Sequence, residues 1–195
     1  MRQYFTSPLA DSLVTPISAV SPGTTPTFIF SQLQANKFLP LPYGQNSPSA
    51  GQFFRIRAGG LITTPGSGTL IVAVYHGPGT SATAGGTLIG TSETLSMPVS
   101  ATAGYWRLDG DLIYRTVSEQ ATVSTCWFSG EFTCGGPSGG TIAPVKFIIS
   151  SNAAVSVDTT GTGSAGTFGA LNIFVTPSVT GSSFTPEFAY VLSDN

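Results

Sequence analysis

The chain reads as an all-β protein, a two-sheet antiparallel sandwich of jelly-roll topology, and three observations lead there. The run from Gly104 to Thr116 alternates: Trp106, Leu108, Leu112 and Tyr114 share one parity, while Arg107, Asp109, Asp111 and Arg115 share the other. Side chains of an extended strand change face at every residue, so this pattern describes a half-buried strand with one wet or partner-facing side. No run of similar length carries apolar residues at helical spacing. Gly, Pro, Ser and Thr together make up 88 of the 195 residues, and they cut the apolar clusters into short pieces, as turns do between strands. A hydrophobic content of 41% with 11% aromatics is too high for a disordered chain.

The elements follow in order. Residues 1–50 hold prolines 8, 16, 22, 26, 40, 42 and 48, half of all fourteen. Proline lacks an amide donor and biases its predecessor toward extended geometry, which disfavours long ladder strands here. Yet Phe28, Ile29, Phe30, Phe38, Leu39 and Leu41 are too apolar for a solvated tail. Two readings fit: an extended arm lying on a neighbouring subunit, or a first strand near 27–33 packed on its own domain. The β-sandwich domain is expected over 51–195. Its first strand spans 53–63, with Gly59-Gly60 marking a bend or bulge. A strongly apolar strand, 69–76, ends at the turn signal Gly77-Pro78-Gly79. Shorter strands are expected near 87–91 and 93–97, then 104–116, 122–133, 144–150, 154–158, 168–176 and 184–192. Nine or ten strands without a helix suit two packed sheets.

Composition narrows the function. Charged residues make up 8% of the chain, with a net charge of −2, against roughly a quarter charged in ordinary soluble domains. No concentrated basic tract exists for phosphate neutralisation, so nucleic acid is not an expected partner. A weakly charged surface is poorly protected from association, and self-assembly is expected. Pro8, Asp11 and Pro16 interrupt any leader-like stretch, and no segment approaches the roughly 20 apolar residues of a membrane helix. Neither a signal peptide nor a membrane partner is therefore expected.

Candidate chemistry is sparse. Cys126 and Cys134, if on one continuous strand, would stand about 26 Å apart, too far to bridge. A hairpin around Ser129-Gly130-Glu131 would permit a disulfide; synthesis in a reducing cytoplasm favours free, buried thiols. His76, the sole histidine, has no Gly-x-Ser-x-Gly elbow or orienting partner in a known arrangement, and reads as a strand-end residue. Gly161-Thr162-Gly163 lacks the following helix that a phosphate-binding turn needs. Asp109 and Asp111 fall on one strand face about 7 Å apart, a separation seen in glycosidases. Arg107 and Arg115 share that face, however, and charge pairing accounts for the group without chemistry. Trp106 and Trp127 read as core and Tyr75 and Tyr105 as surface aromatics, which keeps carbohydrate recognition as an alternative. No catalytic residue, cofactor or metal is expected, since two cysteines and one distant histidine form no zinc set.

The second half, about 100–195, resembles a type of small β-sandwich structural protein of tailed bacteriophages, found among capsid decoration (cement) and other virion proteins. The resemblance is carried by Tyr105-Trp106-Arg107-Leu108-Asp109-Gly110-Asp111-Leu112, Arg115-Thr116, Trp127-Phe128-Ser129-Gly130-Glu131-Phe132 and Val157-Asp158-Thr159-Thr160. It continues through Leu171-Asn172-Ile173-Phe174-Val175-Thr176 and Phe188-Ala189-Tyr190-Val191-Leu192. Where the type carries a tryptophan and serine after its penultimate strand, this chain has Thr176-Pro177-Ser178. The resemblance implies a non-enzymatic virion protein on the capsid outer surface, made in the host cytoplasm, with the major capsid protein and itself, as a homotrimer, for partners. The apolar residues of the arm, Phe28, Phe30, Phe38, Leu39 and Tyr43, are the expected contacts. Arg107, Asp109, Asp111 and Arg115 are expected to orient or pair subunits. The alternative is a tail- or fibre-associated receptor-binding module with carbohydrate affinity, and a secreted lectin-like or hydrolytic domain is a third reading.

Overall fold

The structure is a computed structural model that describes residues 5–7, 19–29, 39–40, 50–76, 86–98, 100–117, 124–136, 145–151, 153–157 and 170–194. The described residues are all-β. In chain order the strands are β1 (Phe5–Ser7), β2 (Thr27–Phe28), β3 (Leu39–Pro40), β4 (Phe53–Thr63), β5 (Thr69–His76), β6 (Thr87–Ser92) and β7 (Leu95–Ser96). They continue as β8 (Gly104–Thr116), β9 (Ser124–Gly135), β10 (Val145–Ser150), β11 (Val155–Val157), β12 (Ala170–Pro177) and β13 (Ser183–Asp194). Every pairing is antiparallel, and the hydrogen-bonded path runs β1-β13-β4-β8-β9-β10-β6-β5-β12-β2, with β11, β3 and β7 attached beside it. The result is one curled antiparallel sheet, a half-barrel.

Alternation decides what the curl encloses. Phe54, Ile56, Ala58 and Ile62 of β4, and Leu70, Val72 and Val74 of β5, point inward. So do Trp106, Leu108, Leu112 and Tyr114 of β8, with Phe128 and Phe132 of β9. Trp106 stacks on Phe132 at 5.7 Å and 14°, and Phe147 meets Phe132 edge-on at 6.0 Å. Each such side chain, fully buried, stabilises the fold by about 1.5–3 kcal/mol. β12 differs. Leu171 to Val175 is buried on both faces, because Phe28 and Tyr75 pack on the outward ring of Phe174 at 5.5 and 5.1 Å.

Glycines set the curl. Phe128 lies in a socket formed by Gly90, Gly110 and Gly130: a Cβ added at these positions would stand 2.9, 2.6 and 3.2 Å from its ring. Gly90 belongs to β6, two places along the sheet from β9, so the sheet bends enough for an inner side chain of one to rest on the backbone of the other. Gly59-Gly60 marks an irregularity, as its sequence suggests. The extra residue lies on the partner strand, between Pro186 and Phe188. A Cβ on Gly60 would fall 2.0 Å from the Thr185 carbonyl oxygen.

The described pieces of the first fifty residues pair within the same chain. β1 extends β13, Val20 bridges Phe184, β2 and β3 lie on β12, and the Ile29 amide donates to the Ile173 carbonyl at 3.0 Å. Proline spacing explains why each contact lasts only two or three residues. Phe28, expected as an interface residue, is instead a core residue, 5% exposed against Phe174. Leu39 pairs through its backbone with Leu171. Phe30, Phe38 and Tyr43 lie outside the described residues.

Candidate interaction surface

The three strands β4, β8 and β9 are long and in register, so their outward residues form rows across the sheet. Arg55 is opposite Asp111, Arg57 opposite Asp109, and Asp109 opposite Glu131. Ile148 of β10 follows Glu131 in the same row, with Lys146 one outward position along. Ion pairs tie these rows together. Arg55 Nε stands 3.4 Å from Asp111 Oδ1, and Lys146 Nζ stands 2.8 Å from Glu131 Oε2. Asp109 serves two guanidiniums, Arg57 at 2.9 Å through Oδ1 and Arg107 at 2.5 Å through Oδ2. The Lys146 hydrogen bond holds the Glu131 carboxyl below its usual range, with help from Thr133 and Arg107 and against slight burial. All these groups are substantially exposed, so each pair stabilises the fold by no more than about 1 kcal/mol.

Arg107, Asp109 and Asp111 therefore occupy the outer face that their parity predicts, and Arg115 is exposed at the end of β8, beside a register shift between Tyr114 and Thr116. Four members of this group escape a reading of β8 alone: Arg55 and Arg57 on β4, and Glu131 with Lys146 across β9 and β10. The available signal was their shared outward parity within their own strands; which strand would be the neighbour was not written there. Over this face lies a shallow depression of about 500 Å³, lined by Arg55, Arg57, Arg107, Asp109, Glu131 and Ile148 among others.

Apolar side chains flank the charges. Leu61, Tyr105, Trp127, Ile148 and Phe188 are five of the six large hydrophobics exposed among the described residues, and strand register puts all five on this face. Trp127 corrects the expectation of a core tryptophan. Its neighbours Cys126 and Phe128 point inward, so alternation turns Trp127 out, where its Nε1–H donates to the Ser151 carbonyl at 3.1 Å. Of the aromatics on β8 and β9, Tyr105 and Trp127 face outward, while Trp106 and Tyr114 are buried. The outward pair is separated by the length from Tyr105 to Ile113, Trp127's partner on β8, about 26 Å, so no single sugar ring spans both.

The other candidates are buried within the sheet. His76 is buried, with its Nε2 2.5 Å from the Tyr114 hydroxyl. Cys126 and Cys134 share the one strand β9, both free and buried, and burial pushes each thiol up to about 12. Among the described residues, no three His, Cys, Asp or Glu side chains are placed to hold a metal ion. No helix among them is long and apolar enough to cross a membrane. Comparison with family models, curated proteins and solved structures finds no match to this chain.

Proposed function

We propose that this chain is a structural virion protein of a tailed bacteriophage, a capsid cement protein that stabilises the head by bridging neighbouring major capsid subunits on its outer surface, without catalysis or cofactor. The observation that carries the reading is the concentration of exposed apolar side chains and ion pairs on one broad sheet face, in a chain with only 8% charged residues. A rigid face of that kind suits burial against another protein surface. The resemblance of residues 100–195 to phage decoration proteins supports the same conclusion. The layered jelly-roll form and an extended segment over 1–50 belong to this proposal. Curling that brings Phe128 onto β6 supports the first, and the brief outer pairings of β1, β2 and β3 support the second. Phe30, Phe38, Leu39 and Tyr43 are the proposed apolar contacts of that segment.

Quantifying the protein in purified particles tests the reading. A cement protein is present in large excess over tail components and remains with tailless heads. Its absence from heads, or a copy number equal to that of tail components, refutes the proposal. The exposed rings of Tyr105 and Trp127 favour a second reading, a tail-associated carbohydrate-binding module, which glycan binding by the purified protein would support.

A further inference from the structure

We infer that residues 19–29 form an exchangeable strap, and that the edges of β12 and β13 accept this segment from a second copy of the chain in place of their own. The inference goes beyond the capsid reading, since it needs only the chain's own two edges and the segment that covers them.

Topology carries the argument. Apart from the first fifty residues, the hydrogen-bonded path begins at β13 and ends at β12, so these two are the edge strands of the sheet. An edge presents backbone donors and acceptors that template pairing with another chain. Every described strand pairing of the first fifty residues falls on one of these two strands. Residues 19–29 touch both. Val20 and Phe184 of β13 exchange two backbone hydrogen bonds of 2.8 Å. Thr27 and Phe28 pair with Val175 and Phe174 of β12, and the Ile29 amide continues that ladder. One segment thus ties the two ends of the curled sheet together.

The strap has buried anchors and an exposed link. Val20, Pro22, Phe28 and Ile29 are buried, whereas Ser21 and the stretch Gly23 to Pro26 are exposed. The Thr27 hydroxyl donates to the Thr25 carbonyl at 3.0 Å, so part of the shape resides in the segment itself. Its seat asks for an apolar residue at the β13 edge and an aromatic–aliphatic pair eight residues on, against Phe174. Among the described residues this segment meets that demand, and every copy of the chain carries it. Exchange preserves each contact, which makes swapping an identical element a low-cost route to assembly. In either seat Phe28 is a core ring. Reach permits the exchange. Even with Leu39–Pro40 kept on β12, the chain from Ile29 to Leu39 extends up to about 33–36 Å, enough to enter an abutting copy. A tethered segment meets its own seat at an effective concentration of order mM. Exchange between copies therefore competes at about 1 mM and is negligible at about 1 µM.

Mixing two variants, Thr27→Cys and Val175→Cys, tests this. Directly paired residues lie about 4.5–5.5 Å apart, inside the roughly 4.4–6.8 Å that a disulfide takes. Oxidised together at about 1 mM, the two should form a disulfide-linked dimer with one chain of each kind, and at about 1 µM they should not. Each variant oxidised alone controls for Cys126 and Cys134, which are buried. The double variant, oxidised at about 1 µM, should bridge within one chain and then remain monomeric in sedimentation at about 1 mM. Should Val175→Cys fold poorly, the unaltered chain gives a second readout. A dimer formed at about 1 mM should outlast dilution to about 1 µM, since the straps must unseat before the copies part. Three results overturn the inference and leave the strap a tie within one chain: no mixed cross-link beside an intact internal bridge, a locked double variant that associates as readily as the unaltered chain, or a dimer that parts at once on dilution. Particle copy number tests the capsid reading by itself and is unaffected by any of them.

Discussion

Replacing Gly110 with alanine tests the packing that shapes the sheet. The new methyl would stand 2.6 Å from Phe128 Cζ and 3.0 Å from Cε2, where carbon pairs prefer about 3.5–4.0 Å. The ring would have to retreat by about 1 Å, yet it already rests on Gly90 of β6 and Gly130 of β9. Overpacking of a closed core costs about 1–3 kcal/mol, and with no free direction the upper half of that range is expected, about 2–3 kcal/mol. For a domain of this size that lowers the melting temperature by about 4–12 °C. Phe128→Leu, which removes the colliding atoms, destabilises on its own by leaving a cavity. The double variant should recover at least about 1 kcal/mol relative to the sum of the single changes, measured by urea denaturation in a double-mutant cycle. Additivity within about 0.5 kcal/mol would show that Phe128 does not fill the socket, and the account of the curl would fail.

Three further outcomes are expected. Phe28→Ala should cost about 3 kcal/mol or more in urea denaturation, as loss of a core ring does; an unchanged midpoint would return Phe28 to the role of an outside contact. Cys126 and Cys134 should resist thiol reagents until the chain unfolds. Their native pKa of about 12 exceeds the ordinary 9.0, so unfolding releases protons and stability falls as pH rises from 9 toward 12, by up to about 1.4 kcal/mol per thiol and pH unit; Cys→Ala variants should lose that slope. Glu131 has the opposite sign. Its lowered pKa makes the Lys146 pair a contribution present above the usual carboxylate range and lost as pH falls through the native value. Glu131→Gln should remove no more than about 1 kcal/mol at neutral pH and nothing in acid.

Alternation along single segments was legible in the sequence. Gly104 to Thr116 announced both its faces, and β4, β5 and β8 have the expected bounds, because side-chain direction in a strand depends only on parity. The same rule, applied to Cys126-Trp127-Phe128, turns Trp127 outward; the unbroken apolar run concealed it. Asn172, buried within Leu171 to Val175, shows a related limit, since a strand covered on both faces loses its alternation.

Parity names a face but not a neighbour. That Arg57 would share Asp109 with Arg107, that Glu131 would fall opposite Asp109, and that Gly90 would approach Phe128 are consequences of register between segments tens of residues apart. Prolines in the first fifty residues foretold brief ladders, while their seats on β12 and β13 depended on edges that exist only after the sheet has curled. The sequence by itself determined strand identity and inward or outward direction, which are local properties of an extended chain. The tertiary structure alone decided that one continuous curled sheet forms and that the charges of four strands meet on one face, because pairing joins residues whose proximity no local pattern encodes.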